Sequence, residues 1–261
     1  MSEVSASGLL KQAKRLKRRA DREHFGNFIA EGPPVLQMAI ERKADLIAIF
    51  TCEDETVDFD YASSNTPVFH ISESEFREIS DTVTPQGVLA IAKIPSHELS
   101  DISKNAKLLL YVEEIRDPGN LGTIIRTADA AGADAVLLSP GSVDPYNSKC
   151  VRSSAGSIFN LPIISNVQIP DLEDLANDLK ANILVTALEG QYTIFSIDSL
   201  LNQPTIWAIG NEAVGVSKSL QAVATHLVRI PMQGYAESLN AAIAAAVCLF
   251  ASVEQLKPNE V

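Results

Sequence analysis

The sequence predicts an α/β protein whose C-terminal part is built on a mainly parallel sheet. Three observations carry this. From Lys107 onward, short apolar runs alternate with segments of helix formers, the pattern of strands joined by helical crossovers. Three loops rich in Gly and Asn each follow an apolar run, and open α/β sheets bind ligands beyond the carboxyl ends of their strands. Residues 95–106, PSHELSDISKNA, are polar and lack an apolar period, which marks a linker. The expected division is a first domain over 1–98 and a second over 105–261.

The elements follow in order. Residues 9–22 contain good helix formers and neither Gly nor Pro, so they predict one basic helix. Phe25 to Gly32 reads as a short strand ended by a turn. Pro33 and Pro34 open a helix through about Arg42, since Pro is tolerated in a first turn. Asp45 to Cys52 is a buried strand, Glu53 to Asp60 an acidic loop, and Pro67 to Ile71 another strand. Ser72 caps a helix to Ile79, and Gly87 to Ile94 is a further strand. In the second half, strands are expected at 107–113, 135–138, 183–187, 205–209 and 227–230. Helices are expected within 120–132, around 148–158, and from Ser238 to about Gln255.

Composition bounds the class. The chain has 261 residues, 46% hydrophobic and 21% charged, enough for one large or two small cores and too apolar for whole-chain disorder. The longest apolar run, Ala241–Ala251, has eleven residues, whereas a membrane span needs about 20. The N-terminus has no apolar h-region, which predicts no export by signal peptide. Three scattered cysteines, Cys52, Cys150 and Cys248, suit a reducing cytoplasm better than a disulfide framework. The net charge of −12 argues against non-specific nucleic-acid binding by the whole surface. Residues 1–25 differ, with seven basic and three acidic residues. Lys14, Arg15, Arg18, Arg19 and Arg22 are the candidate nucleic-acid contacts there; a solvated helix face is the structural alternative.

The three loops hold the candidate chemistry. Asp117-Pro-Gly-Asn-Leu-Gly-Thr-Ile-Ile-Arg126 has only Gly119 and Gly122, so it lacks the G-x-G-x-x-G fingerprint of a nicotinamide-dependent oxidoreductase. It offers Asn120 and Arg126 instead. Gly210-Asn-Glu-Ala-Val-Gly215 puts Glu212 at a strand end, as a ligand-facing carboxylate or a helix-capping acid. Ile230 to Asn240 brings Met232, Gly234, Ser238 and Asn240 to a helix start, where Ser238 can cap the helix. The four histidines, His24, His70, His97 and His226, are too scattered to suggest a metal site.

In order and spacing these loops resemble the three signature motifs of the SpoU (TrmH) family of RNA ribose methyltransferases, within the SPOUT superfamily. The motifs are N-x-G-x-x-x-R at Asn120, Gly122 and Arg126; G-N-E at Gly210, Asn211 and Glu212; and I-P-M-x-G-x-x-x-S-L-N from Ile230 to Asn240. Ala241 stands where the family often has Val. Phe28-Ile-Ala-Glu-Gly32 and Ser80-Asp-Thr-Val-Thr-Pro-Gln-Gly87 are similar to the small substrate-binding domain that precedes many members, the rRNA-modifying ones above all.

The resemblance implies a C-terminal domain threaded into a deep trefoil knot, a topology that periodicity never suggests. It implies S-adenosylmethionine as methyl donor, held largely by backbone at Gly210, Ile230 and Leu239, with Leu188, Met232 and Ser238 nearby. It implies a homodimer and methyl transfer to a ribose 2′-hydroxyl of RNA, most naturally rRNA, without metal. Arg126, Asn120, Glu212 and Asn240 are the implied catalytic set. Family proposals make the arginine a general base, but a guanidinium normally keeps its proton. Phosphate binding and stabilisation of the developing alkoxide fit its chemistry better. The competing readings are a tRNA 2′-O-methyltransferase, base methylation on the same scaffold, and a non-catalytic RNA-binding assembly factor.

Overall fold

The computed structural model describes residues 6–52, 64–211 and 213–256. The acidic run Glu53–Asp60 and the candidate Glu212 lie outside the described residues. In chain order the elements are α1 (Ala6–Arg15), α2 (Arg19–Phe25), β1 (Asn27–Glu31), α3 (Pro33–Glu41), β2 (Leu46–Cys52), β3 (Val68–Ile71), α4 (Glu73–Ile79) and β4 (Val88–Lys93). Then come β5 (Leu108–Val112), α5 (Pro118–Ala130), β6 (Ala135–Leu138), α6 (Ser148–Ser153), β7 (Ile163–Ser165), α7 (Ile169–Leu179), β8 (Asn182–Thr186) and β9 (Tyr192–Thr193). The last are α8 (Asp198–Leu201), β10 (Thr205–Ile209), α9 (Lys218–Ala222), β11 (His226–Arg229) and α10 (Ala241–Leu256). They pack as two compact units: Met1–Ser96 with Asp144–Asn160, and His97–Val143 with Leu161–Val261. Among the described residues no helix is long and apolar enough to cross a membrane.

The first unit is a four-stranded sheet in the order β1-β4-β2-β3, with only the β2–β3 pair parallel. All five residues of β1 are buried, so both of its faces must be covered. Ile29 joins a core with Leu9 and Ala13 from α1, Leu16 just beyond it, and Phe76 and Ile79 from α4. Phe28 points the other way, as strand alternation requires. Its ring packs on Tyr146 at 4.9 Å and on Phe159 at 5.7 Å between centroids. The segment 144–160 therefore completes the first unit's core, although it follows the linker in sequence.

The expected single helix over 9–22 is two helices. α1 ends at Arg15, and α2 begins at Arg19. Arg22 explains the break. Its Nη1 donates to the carbonyls of Leu16 at 2.7 Å and Lys17 at 3.1 Å, satisfying oxygens that a continuous helix would have bonded. Its Nε and Nη2 donate to Asp144 Oδ2 at 2.8 and 2.6 Å. Ser72 caps α4 as the sequence predicts, in a reciprocal box with Glu75. The Ser72 hydroxyl first, and then the Ser72 N–H, donate to the Glu75 carboxylate and hold it below its ordinary range.

The second unit is a seven-stranded, wholly parallel sheet in the order β7-β6-β5-β10-β8-β11-β9. One core gathers Leu109, Tyr111, Ile206 and Ala208 against Leu172, Leu175, Ala176 and Leu179 of α7. α5 and α10 pack on each other, and α10 also packs on β10 and β5. Trp207 is fully buried and donates from Nε1 to Ser252 Oγ at 2.9 Å, so its one polar atom is satisfied.

Candidate active site

Strand order brings the motifs together. β5, β10, β8 and β11 are consecutive neighbours and all parallel. The loops that follow them therefore leave the same edge of the sheet. These loops carry the Asn120–Arg126 motif, the Gly210 motif, Leu188, and the Ile230–Asn240 segment. Sequence spacing alone does not supply that adjacency.

The loop after β5 is tightly organised. Asp117 is the N-cap of α5 and its carboxylate accepts from Asn120 N at 2.9 Å, with Pro118 in the first turn. Glu114 adopts a left-handed backbone, φ +48°, and its carbonyl accepts from Asn211 Nδ2 at 2.8 Å. The buried Glu113 carboxylate accepts from Ser217 N at 2.7 Å, tying the loop to the start of α9. Asn120 and Asn240 meet directly: Asn240 Nδ2 donates to Asn120 Oδ1 at 3.0 Å.

The loop after β10 is closed on itself. Asn211 and Gly215 exchange two backbone hydrogen bonds of 3.0 and 2.9 Å. Gly210 is obligatory there, because a Cβ would stand 2.3 Å from the Gly215 carbonyl carbon. After β8, a Cβ on Gly190 would come within 2.6 Å of the Val228 and Arg229 backbone. Main chain thus passes against main chain at two places beneath these loops.

The segment after β11 has the opposite character. Among the described residues, the backbone of 232–239 makes no hydrogen bond within the protein. Its N–H and C=O groups remain available to a ligand. Ile230, Met232 and Leu239 are half-buried, and Ser238 and Leu188 are exposed. This donor set suits an adenine and a short amino-acid chain, which need main-chain hydrogen bonds and apolar contact more than charge. The residues present fit S-adenosylmethionine.

The structure also revises individual roles. α10 begins at Ala241 rather than Ser238, and its cap is Asn240, whose Oδ1 accepts from Ala242 N at 2.8 Å. Ser238 lies two residues too early to cap. Arg126 is exposed on α5, and no hydrogen bond or ion pair engages it among the described residues. It is six residues from Asn120, about 9 Å along the axis, so the two are not in mutual contact.

The basic arm is largely self-compensated. Arg15 bonds Asp21, Lys14 pairs with Glu78, and Arg19 bonds Glu23 at 2.8 Å. Arg22 is 4% exposed and spent internally on Asp144. Arg18 and Lys11 are the exposed cations of the arm without a partner among the described residues. Asp117, Glu113 and Glu114 are organising residues that the sequence reading omits. An Asp before Pro at a helix start is a legible cap signature, whereas nothing local marks the other two.

Comparison with known proteins agrees with this geometry. The SpoU rRNA Methylase family matches residues 107–250, and the MRM3-like substrate binding domain matches 9–90. The chain is 32% identical over 244 residues to the 23S rRNA (guanosine(2553)-2′-O)-methyltransferase RlmP of Bacillus subtilis, covering 92% of this chain and 94% of that protein. The crystal structure of the SpoU methyltransferase AviRb from Streptomyces viridochromogenes with AdoMet superposes with a TM-score of 0.85 at 28% identity, covering 96% and 98% of the two chains. An AdoMet-bound rRNA methyltransferase from Sinorhizobium meliloti gives 0.85 at 30% identity, covering 97% of each. With its three motifs converging on one sheet edge and its second unit matched over nearly all its length, the chain belongs to the SpoU rRNA methylase family.

Proposed function

We propose that the protein transfers a methyl group from S-adenosylmethionine to a ribose 2′-hydroxyl of rRNA. The observation that carries this is the convergence of four loops on one sheet edge, with Asn240 bonded to Asn120 and a free-backbone segment beside them. The family and the 23S rRNA activity of the Bacillus subtilis relative support rRNA over tRNA.

When bound, the sulfonium supplies an activated methyl and leaves as a neutral thioether. This chain's residues do the rest. Backbone at Gly210, Ile230 and Leu239, with Met232, Leu188 and Ser238, holds the donor. Asn240 and Asn120 lock the loops that frame the ribose. Arg126 binds the adjacent phosphate and stabilises the oxygen as it loses its proton to solvent or phosphate. Glu212 orients Arg126 or the substrate. Fixing the methyl group against the oxygen supplies much of the acceleration.

The same reading includes a trefoil knot in the C-terminal domain, supported by the close approach of Gly190 to the Val228 and Arg229 backbone. It includes a homodimer with Arg126 near the subunit interface. The exposed Ile243 and Phe250, two turns apart on one side of α10, support it. Residues 1–98, completed by 144–160, serve as the substrate-binding domain and the rest of 105–261 as the methyltransferase domain. Lys14, Arg15, Arg18 and Arg19 face RNA, with Arg18 the least compensated. Three buried cysteines in no disulfide suit a cytoplasmic protein.

The test is methylation of in vitro transcribed rRNA with labelled donor, followed by nucleoside mass spectrometry. A 2′-O-methylnucleoside is expected. A base-methylated product would overturn the ribose assignment, and no incorporation at all would overturn the enzyme.

A further inference from the structure

Glu31 is a buried carboxylate whose ion pair with Arg152 is a long one. It ends β1, its side chain is 3% exposed, and the nearest guanidinium nitrogen, Arg152 Nη1, stands 3.8 Å away. A buried carboxylate needs donors. Among the described residues its hydrogen bonds come from one short stretch: Ser80 Oγ, Thr82 Oγ1 at 2.7 Å and Asp81 N at 3.3 Å. Thr82 N in turn donates to Ser80 Oγ at 3.1 Å. Lys17 holds the stretch from another side, donating to the Ser80 carbonyl at 2.8 Å and pairing with Asp81 at 3.3 Å.

The next residue is Val83, which is 93% exposed. Thr84 and Gln86 beyond it are also exposed, before Gly87 returns the chain to β4. A fully exposed apolar side chain is ordinary on a loose loop. Here it follows three residues clamped by a buried charge, so it is held out rather than left out. None of Glu31, Ser80, Asp81 and Thr82 belongs to the first unit's apolar cluster, whose Ile79 immediately precedes Ser80. Arg152 stands beside the clamp, 31% exposed on its side chain, with a buried Nη1 that carries no hydrogen bond. The site thus offers a rigid apolar finger, exposed amide and hydroxyl groups, and a guanidinium whose bonding is incomplete.

We propose that the loop 80–87 is the nucleotide-reading element of the first unit, with Val83 packing on an unpaired base of the RNA and Arg152 on its phosphate. Glu31 is a positioning residue that sets the loop. This rests on the rRNA methylation reading above. Single-stranded RNA is the occupant that fits, since its splayed bases present flat apolar faces and each carries a phosphate within reach of a cation. Arg152 is supplied by the segment 144–160, so the second half of the chain contributes a residue to the reading site of the first.

The experiment measures methylation kinetics on in vitro transcribed rRNA, with donor binding followed separately by calorimetry. Val83→Asp should raise the KM for rRNA about tenfold, with kcat and donor affinity within about twofold, as for removal of binding shared by ground and transition states. Val83→Ala, which cannot disturb a buried core, should raise KM about threefold. Glu31→Gln should raise KM similarly and speed amide exchange at Asp81, Thr82 and Val83 while kcat is kept. A KM unchanged by both Val83 variants overturns the proposal, and is also the outcome if the finger contacts a protein instead. Wild-type protein that neither binds nor methylates the rRNA overturns the underlying reading, and the loop proposal with it.

Discussion

Asn240 uses both ends of one amide: its Oδ1 caps α10 through Ala242 N at 2.8 Å, and its Nδ2 donates to Asn120 Oδ1 at 3.0 Å. The cap fixes the orientation. Once the oxygen faces the helix N–H, only the nitrogen is left to reach outward, and Asn120 must answer with its oxygen. Asn120 is itself held by Asp117. The third motif is thereby bolted to the first.

Two substitutions separate the two jobs of this amide. Asn240→Asp keeps the cap acceptor and loses the donor. It should leave the melting temperature close to wild type and cut kcat at least tenfold, because the carboxylate cannot donate and Asn120 must turn its amide over to meet it. Asn240→Ala loses both, and should add about 1 kcal/mol of destabilisation from the missing cap. Equal kcat for Asn240→Asp and wild type would remove the Asn120 bond from the mechanism.

Arg126 has no internal role to lose among the described residues, so its removal should not unsettle the fold. Arg126→Ala should lower single-turnover methylation by about tenfold to a thousandfold, the range for an electrostatic stabiliser, with donor binding intact. Arg126→Lys should recover little, since an ammonium lacks the planar fork that spans a phosphate. Near-wild-type turnover in Arg126→Ala would exclude the residue from the chemistry.

The basic arm shows where sequence reading stops. Its charge was legible from residues 11–22, and so was its helix content. The division of labour was not, because partners such as Glu78, Ser80 and Asp144 lie far along the chain. Deleting residues 1–22 would remove Leu9, Ala13 and Leu16 from a core and would test folding, not RNA binding. The informative variant is Lys11→Glu with Arg18→Glu. It should weaken rRNA binding and flatten its salt dependence, the slope falling by about one for each phosphate no longer engaged. Arg22→Ala should instead destabilise the first unit, by about 3–5 kcal/mol for a broken buried pair. An unchanged salt slope in the double variant would clear the arm of phosphate binding.

Tyr111 gives the second unit an alkaline limit. Burial, reinforced by the Glu113 carboxylate, pushes its phenol up to about 12. Its hydroxyl donates to the Val167 carbonyl at 3.3 Å. A folded-state value above the unfolded one, near 10, means its stability contribution is whole below pH 10 and is lost between about 10 and 12. Tyr111→Phe should cost about 1 kcal/mol at neutral pH and shift alkaline unfolding upward. The tyrosinate absorbance that Tyr111→Phe removes should be a part that rises with unfolding rather than before it. An unshifted alkaline midpoint in the variant would assign the transition elsewhere.

The catalytic half was the more legible one. Its three motifs are contiguous in sequence, and parallel strands with intervening helices leave a periodic trace. α7 was legible too, with Leu172, Leu175, Ala176 and Leu179 at helical spacing, although the sequence reading does not include it. The packing of 144–160 into the first unit has no local trace, because Tyr146 and Phe159 reach Phe28 across more than a hundred residues. That long-range packing makes a sharp prediction. Phe28→Ala should cost the first unit about 3–5 kcal/mol, and Phe159→Ala somewhat less, since Phe159 is only half-buried. Hydrogen exchange should report faster opening in β1, β4 and α6 together, although α6 lies fifty-five residues beyond β4. Donor binding in the second unit should be unaffected. If α6 kept its protection while β1 and β4 lost theirs, the segment would not belong to the first unit's cooperative core.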